Sequence, residues 1–341
     1  MTALRELSEV PGVAGDEGKV REIIRQQMQE HADEIRVDAL GNLLVIRRGS
    51  PDLPRLMVAA HMDEVGLMVS HIDKSGCLRF KKVGGIDDRV LPSTAVRVGC
   101  KQVPGAIGSK PVHQQKPGEQ NKVIESDKMY IDIGASGKEE AERSVSPGDY
   151  VHFATEFEEM GDGRLKGKAF DDRAGCAQLI ELLRSDVEVP LYAAFTVQEE
   201  VGLRGAQVAA WEIEPDLALV LEGTTCADVP EVEDHGQSTA LGEGPALGLM
   251  DRTSFAHPGM LRGLIRAAEE NSIPYQFRRS TAGGNDAGPI SLSRGGVPAA
   301  TVSTPCRYIH SPVSVMKKSD FENGLRLLSA FLQDIERGFR P

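Results

Sequence analysis

The sequence predicts an α/β protein with an open sheet, interrupted by an all-β insertion, and three observations carry that prediction. Continuous apolar runs at residues 56–60, 191–197, 217–221 and 299–303 lack polar alternation, as strands covered on both faces require. Stretches with apolar residues at helical spacing lie among them. From about residue 67 to residue 165 the texture changes to short alternating runs broken by glycine and proline, the signature of a small barrel or sandwich.

Taken in order, residues 17–32 place Val20, Ile23, Ile24 and Met28 on one helical face, with Asp16 as the expected N-cap. Short strands are expected at 35–38 and 42–46, then the buried strand at 56–60. Within the insertion, Ala95-Val-Arg-Val and Asp149-Tyr-Val-His-Phe alternate as strands do, and the polar stretch 110–127 reads as an exposed loop. The α/β texture resumes at Lys166. An amphipathic helix is expected at 173–185, through Leu179, Ile180, Leu182 and Leu183, and further helices at 261–271 and 321–339. Candidate site residues flank the insertion on both sides, so residues 1–66 and 166–341 are expected to form one discontinuous domain around residues 67–165.

Composition narrows the function classes. A formal net charge of −12 cannot neutralise a run of phosphates, which argues against nucleic-acid binding. No apolar run reaches the roughly 18 residues that span a bilayer. The N-terminus carries no signal-peptide pattern, so a cytoplasmic location is expected. Five cysteines, an odd number without metal-finger spacing, read as buried small hydrophobes, although Cys306 lies four residues before His310.

The chemistry sits where the apolar runs end. His61 and Asp63 follow the first run, Glu199 and Glu200 the second, Glu222 closes the third and His310 follows the fourth, while Asp171-Asp172 opens a helix-like stretch. Open α/β sheets put their sites at such strand ends. Alone, a His-x-Asp pair, an Asp-Asp helix start or a solvated Glu-Glu pair means little. Together they describe a dinuclear centre, in which two ions need a bridging carboxylate and further oxygen or nitrogen ligands. Asp171 is the candidate bridge, with Asp172 competing; spacing does not separate them. One ion would take His61 and Glu222, the other Glu200 and His310. Imidazole and carboxylate without thiolate suit zinc first, then cobalt or manganese. Asp63, two residues beyond His61, is expected to accept a hydrogen bond from the second ring nitrogen. Glu199 remains as the general base.

Four segments then resemble one known family: Ala59-Ala-His-Met-Asp-Glu-Val-Gly66, Gly167-Lys-Ala-Phe-Asp-Asp-Arg-Ala-Gly175, Val197-Gln-Glu-Glu-Val-Gly-Leu-Arg-Gly205 and Arg307-Tyr-Ile-His-Ser-Pro312. In this order, over nearly the whole chain, they are similar to the tetrahedral (TET) aminopeptidases, a group that includes glutamyl and deblocking aminopeptidases. The resemblance implies a phosphorylase/hydrolase-like three-layer α/β/α catalytic domain with an inserted PDZ-like dimerisation domain. It implies release of N-terminal residues from peptide substrates by two metal ions, and self-association to a dimer and a twelve-subunit tetrahedron. It favours Asp171 over Asp172 as the bridge and implies a cis peptide after it. Through the stretch Thr281-Ala-Gly-Gly-Asn-Asp-Ala-Gly288 it implies substrate positioning by Asp286 and Gly284, and it gives Arg252 and His257 pocket-lining or structural roles. Glu222 departs from the pattern, since many relatives carry aspartate there.

Three other functions compete. A dinuclear carboxypeptidase or amide deacylase would keep the metal site and change the substrate. A glycoside hydrolase would need carboxylates about 5–9.5 Å apart on opposite sides of a sugar, which adjacent glutamates do not provide. A scaffold with a vestigial site is disfavoured by the complete ligand set.

Overall fold

The computed structural model describes residues 1–118 and 121–341, so residues 119 and 120 of the expected loop at 110–127 lie outside the described residues. Helices α1 (Thr2–Glu9) and α2 (Gly18–Met28) lead into strands β1 (Glu34–Val37), β2 (Leu43–Arg47) and β3 (Leu56–His61). Next come β4 (Gly66–Ile72), β5 (Leu78–Val83), β6 (Ala95–Val98), β7 (Val103–Gly108), β8 (Tyr130–Asp132), helix α3 (Lys138–Glu142) and β9 (Tyr150–Phe153). The chain continues through β10 (Glu158–Met160), β11 (Arg164–Gly167), α4 (Phe170–Arg184), β12 (Leu191–Thr196), α5 (Arg204–Ile213) and β13 (Leu217–Thr225). It closes with β14 (Ala246–Gly248), α6 (Pro258–Glu270), β15 (Gln276–Arg278), α7 (Ala287–Ser291), β16 (Ala299–Arg307), β17 (Ser314–Lys317) and α8 (Lys318–Glu336).

The fold is mixed α/β. One sheet runs β1-β2-β12-β3-β13-β16-β17-β11-β10, with β14 and β15 attached beside β16. Its centre, β12, β3, β13 and β16, is parallel, so these four strands end at the same edge. Alternate residues of each strand enter different cores. Leu56, Val58 and Ala60 of β3 and Leu217, Leu219 and Leu221 of β13 pack with α1, α2, α4, α6 and α8. Met57, Ala59, Ala194, Ala218 and Val220 face α5 and α7 instead. That second face is rich in alanine on both sides (Ala206, Ala209 and Ala210 on α5), which lets the helix lie close to the strands. Both faces being covered is why the central strands read as unbroken apolar runs.

Strands β4-β5-β8-β7-β6-β9 form a closed barrel with its own core, including Leu67, Phe80, Val96, Ile107, Ile131 and Val151. Closure leaves no strand edge for unwanted pairing. Beyond Phe153 the chain leaves the barrel: β10 and β11 pair into the large sheet, and Leu165 packs in the main core opposite Met316. Their short alternating runs resemble barrel strands, and only the pairing partner distinguishes them.

The expected helices are present with shifted ends. The first begins at Gly18 with Glu17, not Asp16, at the N-cap position. The Glu17 carboxylate turns away to accept the amides of Gly15 and Gln198, at 2.7 and 3.1 Å. Among the described residues the five cysteines are free thiols, and no helix is long and apolar enough to cross a membrane.

Candidate metal centre

Unequal strand lengths open a notch at the C-terminal edge of the parallel strands. β3 pairs with β13 only as far as Ala59 opposite Val220, whereas β13 and β16 stay paired to Thr225 opposite Cys306. Glu222, expected to close its strand, instead lies inside β13 and projects beyond the last β3 pair. His61 ends β3, the Glu199-Glu200 pair follows β12, and His310 follows β16 in a turn at φ +57°.

Asp171 stands between the two histidines. Its Oδ1 lies 3.3 Å from His61 Nε2 and its Oδ2 lies 3.3 Å from His310 Nε2. Glu222 Oε2 is 3.6 Å from the His61 nitrogen, and Glu200 Oε2 is 3.3 Å from that of His310. Glu199 Oε2 approaches His61 Nε2 at 3.9 Å. The Asp171–Asp172 peptide is cis, and both residues leave helical geometry within α4. Asp172 turns away from the cluster: it accepts the Gly175 amide at 2.9 Å and the His61 amide at 3.3 Å, which caps the helix and ties it to the end of β3.

Two backbone carbonyls orient the histidines. His61 Nδ1 is 3.1 Å from the Asp63 carbonyl oxygen, and His310 Nδ1 is 3.0 Å from that of Gly85, just beyond β5. The Asp63 carboxylate, expected as the partner of His61, lies farther off at 3.6 Å. It is occupied instead by the backbone amides of Glu199 and Glu200, each at 3.0 Å. With Nδ1–H donating to a carbonyl, each neutral imidazole turns the lone pair of Nε2 toward carboxylate oxygens. Acceptor then faces acceptor, an arrangement that only protons or cations relieve. Glu222 Oε1 is also buried without a hydrogen-bond partner among the described residues. The donor set therefore fits divalent cations.

The electrostatics agree. Burial pushes Glu199 well above the usual carboxylate range, Glu200 up to about 7 and Glu222 up to about 8. Burial opposes ionisation of Asp171 too, but hydrogen bonds from His310 and His61 overcome it and hold this acid below its ordinary value. Burial works against protonation of His310, yet Asp171 and Glu200 raise it to about 9. Three of the four carboxyl groups therefore hold protons more tightly than free carboxylates do, and cations beside them would take the place of those protons.

The centre opens into a cavity of about 680 Å³, walled by Leu249, Met250, Arg252, Phe255 and Gly284 among others. Gly284 is thus on the wall. Asp286 is not: it is buried behind it, accepting the Thr196 hydroxyl at 2.6 Å, because the turn into α7 points its side chain at the sheet. His257 caps α6 by accepting the Gly259 amide. Cys306 is buried, and burial holds its thiol far above the range in which it would be a nucleophile. Sequence reasoning missed the buried ionic group behind the centre. Lys168 Nζ contacts both Glu64 oxygens at 2.7 and 2.8 Å, and Arg173 donates to the carbonyls of Leu7, Val10, Gly12 and Met62. All three charges stand inside the motifs that carry the ligands, which was the available signal.

A family model of the M42 glutamyl aminopeptidases matches residues 41–327. The chain belongs to the M42 glutamyl aminopeptidase family. It is 34% identical over 342 residues to a lysyl aminopeptidase of Pyrococcus furiosus, covering 98% of this chain and 96% of that one. A solved TET aminopeptidase from a marine sediment Thaumarchaeota archaeon superposes with a TM-score of 0.95 at 39% identity, covering 100% and 98% of the two chains. The Pyrococcus horikoshii TET1 peptidase, described as assembling into a tetrahedron or a large octahedral shell, superposes at 0.85 with 34% identity over 96% and 98%. M42 peptidases are metal-dependent, and this M42 chain is an aminopeptidase, cleaving the N-terminal peptide bond of peptides.

Proposed function

We propose that catalysis uses two divalent cations: one on His61 and Glu222, the other on His310 and Glu200, with Asp171 bridging and Glu199 as general base. The observation that carries this reading is the position of Asp171, one carboxylate oxygen 3.3 Å from each histidine. When bound, the cations supply Lewis-acid polarisation of the scissile carbonyl and make water more acidic. The donors favour zinc, and cobalt or manganese accept the same set. Glu199, whose Oε2 lies 3.9 Å from His61 Nε2, takes the proton of the attacking water and returns it to the leaving amine. The Asp63 carboxylate fixes the backbone that carries Glu199 and Glu200.

The domain reading goes with this: a three-layer α/β/α catalytic unit from residues 1–66 and 166–341, with a PDZ-like dimerisation domain within 67–165, ending at Phe153 if the barrel defines it. The tetrahedral or octahedral assembly described for TET1 supports self-association of this chain, read here as a dimer and a tetrahedral dodecamer. A cytoplasmic location completes the reading. The test compares aminoacyl-nitroanilides and free-amine peptides with N-acylated peptides, before and after chelation. Activity on free amines alone, lost with chelator and restored by Zn²⁺, Co²⁺ or Mn²⁺, is expected. Equal cleavage of N-acylated peptides, or full activity without metal, would overturn it.

A further inference from the structure

The dipeptide Glu199-Glu200 sits on a loop whose backbone is costly to hold. Gln198 and Leu203, on either side, are non-glycine residues in the left-handed region, at φ +57° and +58°. Such conformations persist only where the surroundings over-determine them. Here four consecutive amides are each taken by a side-chain oxygen. Val197 N–H donates to Asn42 Oδ1 at 3.0 Å, Gln198 N–H to Glu17 Oε1 at 3.1 Å, and Glu199 and Glu200 N–H to the two oxygens of Asp63 at 3.0 Å. A loop after a strand ordinarily gives such amides to water. In this loop they are fixed by three separate parts of the chain.

Glu17 is the unexpected member. It belongs to the N-terminal segment between α1 and α2, outside residues 41–327 that the family model matches. It is only 4% exposed, and a carboxylate is rarely buried so far without a purpose. Its own segment is pinned to the chain just beyond β3: Val13 bridges Glu64, Ala14 N–H donates to the Glu64 carbonyl, and Gly12 N–H donates to the Glu64 carboxylate at 3.0 Å. Gly15, at φ +95°, turns the chain so that its amide and that of Gln198 converge on the same Glu17 oxygen. Glu17 therefore joins the segment anchored beside His61 to the backbone one residue before Glu199.

We propose that Glu17 is a positioning residue for catalysis: by accepting the Gln198 amide it fixes the direction in which Glu199 and Glu200 are presented. It touches neither substrate nor any proposed ligand atom. The inference rests on the roles given above to Glu199 and Glu200. Loss of the acceptor lets Gln198 relax from its left-handed conformation, which rotates the two glutamates and leaves the cavity wall in place. The consequence falls on turnover and on the ion held by Glu200, not on substrate affinity.

The test compares Glu17→Met, which fills the space without an acceptor, with Glu17→Gln, whose amide oxygen still accepts both N–H groups. Glu17→Met should lower kcat by about 10- to 100-fold with KM within about twofold, and weaken one of two metal-binding steps in calorimetry by about tenfold. Glu17→Gln should restore both to within about threefold of wild type. A Glu17→Met protein with wild-type kcat and ion binding overturns the proposal, as does Glu17→Gln impaired as severely as Glu17→Met. Should Glu17→Met fail to fold, the wild-type protein still decides. Its Gln198 amide must exchange with solvent at least about 100-fold slower than an open amide, and exchange at the open rate refutes the contact. A Glu199→Gln protein that keeps full activity would instead refute the base assignment, leaving ion binding and amide exchange to judge Glu17 separately.

Discussion

Replacing Gly223 by alanine tests the bridge most directly. Gly223 follows Glu222 on β13, and a Cβ there would stand 2.7 Å from both Cα and Cβ of Asp171 and 2.9 Å from its Oδ1. Carbon atoms rest about 3.5–4.0 Å apart, so Asp171 must retreat by roughly 0.8 Å or more. The clash is with backbone as well as side chain, so no rotamer change relieves it. Ligand distances tolerate only about 0.2 Å, and Asp171 serves both histidines, so both ions are affected at once. A displacement near 1 Å costs about 10²-fold in rate, so kcat/KM should fall at least about 100-fold, roughly 2.7 kcal/mol. Overpacking should lower stability by about 1–3 kcal/mol, leaving a folded protein whose metal loss is measurable. Zinc titration of the apo-protein, kcat/KM on an aminoacyl-nitroanilide and thermal unfolding would be compared with Gly295→Ala, whose added methyl meets nothing within 4 Å among the described residues. Two ions at wild-type affinity in Gly223→Ala, with activity within about threefold of that control, would refute the bridging geometry.

The metal-free protein should respond to pH with a definite sign. Glu200 and Glu222 are raised by burial from 4.5 to about 7 and about 8, and His310 is raised from 6.5 to about 9 by Asp171 and Glu200 against its burial. All three hold protons in the fold that the unfolded chain has released. The stability they give is complete below their unfolded values and drains away as pH rises toward 9. Cations replace those protons, so the gain in Tm on adding zinc should be larger at about pH 8.5 than at about pH 6, and equal gains would contradict the scheme. Lys168→Met removes the partner of a carboxylate buried with it, and should destabilise the chain by about 3–5 kcal/mol in urea unfolding. A loss under about 1 kcal/mol would mean that Arg173, at 3.6 Å, suffices for Glu64.

The sequence made legible whatever is local. The unbroken runs through Leu56 and Leu217 announced strands buried on both faces, and His61, Glu200 and His310 could be found because each follows the end of one. What depends on distant partners was hidden. Whether residues 158–160 join a barrel or a sheet is decided by pairing with β11, and through it β17, more than a hundred residues on. The i, i+2 spacing assigns Asp63 to the imidazole two positions away, whereas its carboxylate is claimed by amides 136 and 137 residues along the chain. The glycine-rich stretch through which the resemblance points to Asp286 does line the cavity, but the turn into α7 sends this one side chain under the sheet edge. The place of Glu222 required knowing that β13 outruns β3. Periodicity along one strand does not reveal where a neighbouring strand stops.

The two halves of the centre are unequal, and that inequality has a measurable consequence. The His61 side chain is 1% exposed and its orienting carbonyl belongs to Asp63, two residues away at the end of the same central strand. The His310 side chain is 38% exposed, follows its strand on a left-handed turn, and is oriented by Gly85 from the chain leaving β5 of the barrel. One half is built from the rigid middle of the sheet; the other depends on how barrel and sheet are held together. A buried ligand set fixed by short local contacts releases an ion slowly, because opening it disturbs the core, whereas a half-open set needs only a local movement. Limiting chelator should therefore remove the ions in two phases, the first leaving a protein with one ion per chain. His310→Ala should reproduce that one-ion state, and His61→Ala should lose both, since Asp171 and Glu222 then face each other without a cation or an imidazole between them. Single-phase release of both ions would show that the two halves act as one unit, and one tightly held ion in His61→Ala would show that the His310 half does not depend on the His61 half.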